Sequence, residues 1–183
     1  MSTSGAALPE ILIVAIGNPD RGDDGAGALV AARLAGRLPP GVAVVTRRGD
    51  MLSLIEDWAG INAVICIDAA SPMGEPGRVE RIDAGAGRLP RGVSFASSHA
   101  FGLAEAIALA GALRSLPGSV IVYAIEGACF EGGAVMTPDV TAAAAKVADL
   151  ILDEIVRLRP HAGKVVSDAR GGDVARPPSL ADC

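Results

Sequence analysis

Apolar positions along this chain fall into short blocks separated by stretches of helical periodicity. Ile11–Ile16 and Ala63–Ile67 are apolar throughout, as strands buried on both faces of a sheet must be. Val42–Val45 and Ser119–Ile125 read as further strands, and Arg78–Ile82 alternates apolar and polar residues like a half-exposed edge strand. Ala26–Leu38, Asp50–Trp58, Phe101–Leu113 and a last segment from Thr137-Pro138 to about Leu158 are predicted helices. Asp23 or Asp24 is placed to cap the first of these, and Pro39-Pro40 to stop it. Asp50 is placed to cap the second, Ser97 or Ser98 the third, and Thr137 the last, with Pro138 in its first turn. Strands alternating with helices predict an α/β three-layer sandwich with a mostly parallel, roughly five-stranded sheet flanked by helices. Residues 9–159 are expected to form that one domain. Residues 160–183, rich in Gly, Pro, Ala and charge, are expected to be a disordered tail.

Composition narrows the picture. Half of the 183 residues are hydrophobic but only 3% are aromatic, so the core must be built from Ala, Val, Ile and Leu. The net charge is −5 and no run of Lys and Arg appears, which argues against a nucleic-acid partner. Ile11–Ile16 is too short for a signal-peptide core or a membrane span, and Phe101–Leu113 is short and interrupted by Glu105. A cytoplasmic protein with no membrane association is expected. Cys66, Cys129 and Cys183 make no CxxC pair and no zinc-finger spacing. Cys66 reads as a small core side chain. Cys129, in a Gly-rich loop, is an isolated candidate thiol.

Three stretches carry the candidate chemistry. Gly17-Asn18-Pro19-Asp20-Arg21-Gly22-Asp23-Asp24-Gly25-Ala26-Gly27 joins the first strand to the first helix. Its glycines do not make G-x-G-x-x-G, it has no P-loop Lys, and adjacent acids at a helix N-terminus would repel a phosphate. Two acids there exceed what capping needs. Asp68 ends the otherwise apolar third strand, either as a turn former or as a group pointing into the crevice at the strands' C-terminal ends. His99 stands just before a helix; the only other histidine, His161, lies in the tail. Two carboxylates and an imidazole converging at one sheet edge form a metal-ligand set. Glu126, after the fifth strand, is either an exposed loop acid or a group that reaches the same crevice.

Taken in order, Gly17-Asn18, Asp23-Asp24-Gly25-x-Gly27, Asp68-Ala69, His99-x-x-Gly102-Leu103 and Thr137-Pro138 resemble the motifs of the hydrogenase maturation endopeptidases, over roughly Ile11 to Arg157. The resemblance implies a protease that removes the C-terminal extension of a [NiFe] hydrogenase large-subunit precursor after nickel insertion. It implies that Asp24, Asp68 and His99 bind metal. From the residues themselves, these three read as the metal-linked catalytic set, with Asp23 and Glu126 as weaker candidates for moving a proton. The resemblance implies nickel presented by the precursor rather than a metal tightly held by the protease. The family commonly has Asp-Gly-Gly-Thr after its second strand. Here Thr46-Arg47-Arg48-Gly49-Asp50 replaces it, with Thr46 at the family's Asp. That departure keeps an alternative open: a non-cleaving, metal-sensing or chaperone-like module that binds the large subunit. Arg47 and Arg48 read either as a solvated turn or as a cationic surface for carboxylates of a protein partner.

Overall fold

The structure, a computed structural model, describes residues 8–49, 52–85, 95 and 102–162. Its strands are β1 (Ile11–Ile16), β2 (Val42–Arg47), β3 (Ala63–Ala70), β4 (Val79–Asp83) and β5 (Ser119–Glu126). They form one sheet in the order β2-β1-β3-β5-β4. All neighbours are parallel except β4, which runs antiparallel to β5 at the edge. The helices are α1 (Ala26–Leu34), α2 (Ser53–Asp57), α3 (Leu103–Ala112) and α4 (Pro138–Ala162).

Strand alternation splits the core into two layers. Ile11, Ile13, Ile65, Ile67, Ile121 and Tyr123 face α1 and α4, against Val30, Leu34, Val147 and Ile151. Leu12, Val14, Val64, Cys66, Val120 and Val122 face α2 and α3, against Leu54, Trp58, Leu103 and Ile107. This is the α/β sandwich that the hydrophobic pattern predicts. Cys66 is fully buried. No described helix is long and apolar enough to cross a membrane.

Several boundaries differ from the sequence reading. The first helix stops at Leu34, not Leu38, because Gly36 takes a left-handed conformation (φ +74°) and turns the chain. The second is a short Ser53–Asp57 helix; the cap residue read for it, Asp50, lies outside the described residues, as do Ser97 and Ser98. The last helix continues to Ala162. The third strand does not end at Ile67: Asp68, Ala69 and Ala70 pair in register with Ala124, Ile125 and Glu126 of β5. Asp68 is therefore a strand residue and not a turn former.

Candidate active site

β1 lies between β2 and β3, and the helices that follow β1 and β2 pack on opposite faces of the sheet. The chain thus reverses its winding at β1, and the crevice outside the C-terminal ends of β1 and β3 is the switch point where open α/β sheets bind ligands. Helix α1 starts tight against both strands. A Cβ on Gly27 would stand 2.4 Å from the Ile16 carbonyl oxygen and 3.0 Å from that of Ile67. Gly17, at φ +117°, lets the chain leave β1, since a Cβ there would strike the Asp24 carbonyl.

Asp24 and Asp68 flank this crevice. Asp24 is almost wholly buried. Its Oδ2 accepts the Asn18 N–H at 3.1 Å and lies 3.6 Å from Arg21 Nη1. Asp68 is fully buried; its Oδ1 accepts the Ala69 N–H at 2.8 Å. Its Oδ2 has no hydrogen-bond partner among the described residues. Burial, partly offset by the Ala69 amide and reinforced by the charge of Asp24, pushes the Asp68 pKa up to about 8. At neutral pH Asp68 is therefore mostly protonated. A buried carboxyl oxygen without a donor, beside a second carboxylate, suits a cation.

The third residue of the predicted set, His99, lies outside the described residues, four positions after Phe95, which bridges to Ala70 at the end of β3. Among the described residues, no three His, Cys, Asp or Glu side chains come together as a metal cluster.

Asp23 and Glu126 are buried for a different reason. Neither carboxylate next to α1 caps it by a side-chain hydrogen bond. Asp23 instead reaches across to the loop between β5 and α4. Its Oδ2 accepts the Ala128 and Cys129 N–H groups at 2.8 and 3.0 Å, and its Oδ1 accepts the Thr137 N–H and hydroxyl at 2.7 and 3.0 Å. Burial opposes its charge, but these donors outweigh it and hold the carboxyl below its ordinary value. Glu126 is the last residue of β5 and is buried, not an exposed loop acid. Its Oε1 accepts the Met73 and Glu75 N–H groups at 2.6 and 2.7 Å and shapes the loop after β3. The Glu75 amide above all, helped by the Met73 and Gly74 amides and Arg78, outweighs burial and lowers its pKa. Carboxylates so saturated with donors are poor proton acceptors; they anchor loops.

The loop after β2 is also tied down. Thr46 is exposed. Arg47 forms a two-point ion pair with Asp57 of α2, and Arg48 pairs with Asp20 at 3.0 Å, both of those groups largely exposed. Arg47 thus fastens β2 to α2. Arg21 is a site residue that the sequence reading missed; its position three residues before Asp24 is the signal that could have found it.

A five-stranded α/β sheet with two buried acids at its switch point has them where open α/β sheets bind ligands. The comparisons with known proteins make this specific. Residues 35–154 match the HycI family model, described as hydrogenase maturation protease; the match includes Asp68 and His99 and begins after Asp24. Among solved structures, the chain is similar to the [NiFe] hydrogenase maturation protease HybD from Thermococcus kodakarensis, with 23% identity, TM-score 0.63, and coverage of 79% of this chain and 98% of that one. It is similar to the hydrogenase maturating endopeptidase HybD from E. coli, with 21% identity, TM-score 0.64, and coverage of 83% and 93%. It is also similar to the maturation protease HycI from Thermococcus kodakarensis KOD1, with 23% identity, TM-score 0.59, and coverage of 79% and 90%. At these identities the structural likeness is one of fold. The comparison with curated proteins gives no match. The family model spans most of the chain, and the chain belongs to the hydrogenase maturation protease family.

Proposed function

We propose that this chain is the endopeptidase that removes the C-terminal extension of a [NiFe] hydrogenase large-subunit precursor once nickel has been inserted. The observation that carries the reading is the acid pair at the switch point, within a member of this protease family: Asp24 beside a fully buried Asp68 whose outer oxygen lacks a donor among the described residues. Asp24, Asp68 and His99 are the residues that would hold the ion, and nickel arrives as part of the substrate. Held there, such an ion would supply Lewis acidity toward the scissile carbonyl or a water. The chain's own residues do the rest. Asp68 would give up its proton on holding a cation. Asp24 is held in position by the Asn18 amide, and Asp23 and Glu126 fix the loops that wall the crevice. The protein acts in the cytoplasm, where its precursor substrate is made.

The test is incubation with nickel-loaded precursor, followed by intact mass. Shortening of the precursor at its C-terminus is the expected result, and Asp68→Asn should abolish it. A stable complex of unchanged mass would replace the protease with the binding module.

A further inference from the structure

Arg21 has no part in the chemistry just proposed, yet its guanidinium is held beside Asp24 of the acid pair. It sits in the turn between β1 and α1, where its backbone N–H donates to the Asn18 carbonyl at 3.1 Å and its carbonyl accepts the Asp24 N–H at 3.2 Å. Its Nη1 lies 3.6 Å from Asp24 Oδ2, and its Nη2 donates to the Phe130 carbonyl at 3.2 Å, in the loop between β5 and α4. The guanidinium is therefore braced from both walls of the crevice. Its side chain is one-third exposed while that of Asp24 is only 6% exposed, so solvent reaches the guanidinium more freely than the carboxylate.

We propose that Arg21 is a charge gate on the Asp24–Asp68 pair: its guanidinium, held beside Asp24, repels a free divalent ion and admits a metal already wrapped in a partner's anionic ligands. The inference rests on the reading of Asp24 and Asp68 as metal-facing. The physics is Coulombic. A free ion carries two positive charges toward a fixed guanidinium in a partly desolvated site, where such repulsion is stronger than in water. A metal held by anionic side chains carries little or no net positive charge and escapes that penalty. Arg21 in this role is a positioning and selectivity residue, not a catalytic one. A charge is what the role requires, and lysine can supply it.

The experiment is calorimetric titration of the full chain with nickel chloride alone. Arg21→Gln should bind the ion about tenfold more tightly than wild type, the effect of removing one nearby like charge. Arg21→Lys should bind as weakly as wild type. Adding Asp68→Asn to Arg21→Gln should remove the gain, which places the ion at the acid pair. Arg21→Met, which keeps the apolar stem, serves as a second neutral variant if the glutamine variant does not fold. Equal affinity in wild type and a folded neutral variant overturns the gate. So does a lysine variant that binds as tightly as the glutamine one, or a gain that survives Asp68→Asn. These results are separate from precursor shortening. A wild type that shortens its precursor but gains nothing from Arg21→Gln loses the gate and keeps the protease. A wild type that never shortens it loses the protease, whatever the titrations give.

Discussion

Asp68 costs this fold stability. In the unfolded chain its carboxyl ionises near its ordinary value of 3.8; in the folded chain burial holds it protonated up to about 8. Between those limits the unfolded state binds fewer protons than the native one, so stability falls as pH rises, by about 1.4 kcal/mol per unit of displacement in full effect. Thermal melts in the presence of chelator should therefore show Asp68→Asn melting above wild type at pH 8, with the difference vanishing near pH 4. A wild type that melts higher than the variant at pH 8 would show that the carboxyl serves the fold. A buried carboxyl that lowers stability at neutral pH and flanks the crevice is what a ligand-binding role, rather than the fold, calls for. Gly27 makes the opposite case. Its hydrogen faces backbone atoms of β1 and β3, which cannot step aside. Gly27→Ala should lose about 3 kcal/mol in denaturant unfolding, whereas Gly132→Ala, in open space, should lose less than about 1.

Among the elements, α4 is held to the sheet by one buried carboxylate as well as by apolar packing. Glu154 accepts both Arg81 Nε and Nη2, at 2.7 and 2.8 Å, and the Tyr123 hydroxyl at 3.0 Å. The Arg81 hydrogen bonds, countered by burial and aided by Tyr123, hold its pKa below the ordinary value. Its contribution is therefore complete above the unfolded pKa and is lost as pH falls through the folded one. Glu154→Gln should cost about 1–2 kcal/mol at neutral pH, discounted because Arg81 is partly exposed. The gap between variant and wild type should close on acidification below about pH 4; a gap that persists there would assign the loss to packing. The elements themselves were legible in sequence wherever the pattern is local. Ile11–Ile16 and Ala63–Ile67 are apolar because both sheet faces are covered, and that alone marks them as inner strands. What failed was local reading of residues whose partners are distant. Asp23 sits where a cap belongs, but its donors come from positions 128, 129 and 137. The end of β3 reads short from sequence, and Glu126 stays between two readings, for the same reason: their pairing partners, each on the other strand, lie more than fifty positions away.

At the scale of the whole molecule, the switch point is where elements from both halves of the chain meet. β1 and the turn after it bring Asp23 and Asp24, β3 brings Asp68, and β5 with its following loop brings the donors that fix Asp23. Asp23→Ala should therefore lower the melting temperature and also slow precursor shortening, because it frees both walls of the crevice at once; a loss of about 3 kcal/mol in denaturant unfolding is expected. Destabilisation with undiminished shortening at a temperature where the variant remains folded would confine Asp23 to the scaffold. The clamp also sets an order of events. It joins positions 105, 106 and 114 residues apart. Contacts that span so much chain form late, because the entropy of closing the intervening loop must be met before they can contribute. A ribosome delivers Asp23 long before Thr137, so the nascent chain holds its acids without the walls that aim them. The walls of this crevice cannot be fastened until the chain has been made as far as Thr137.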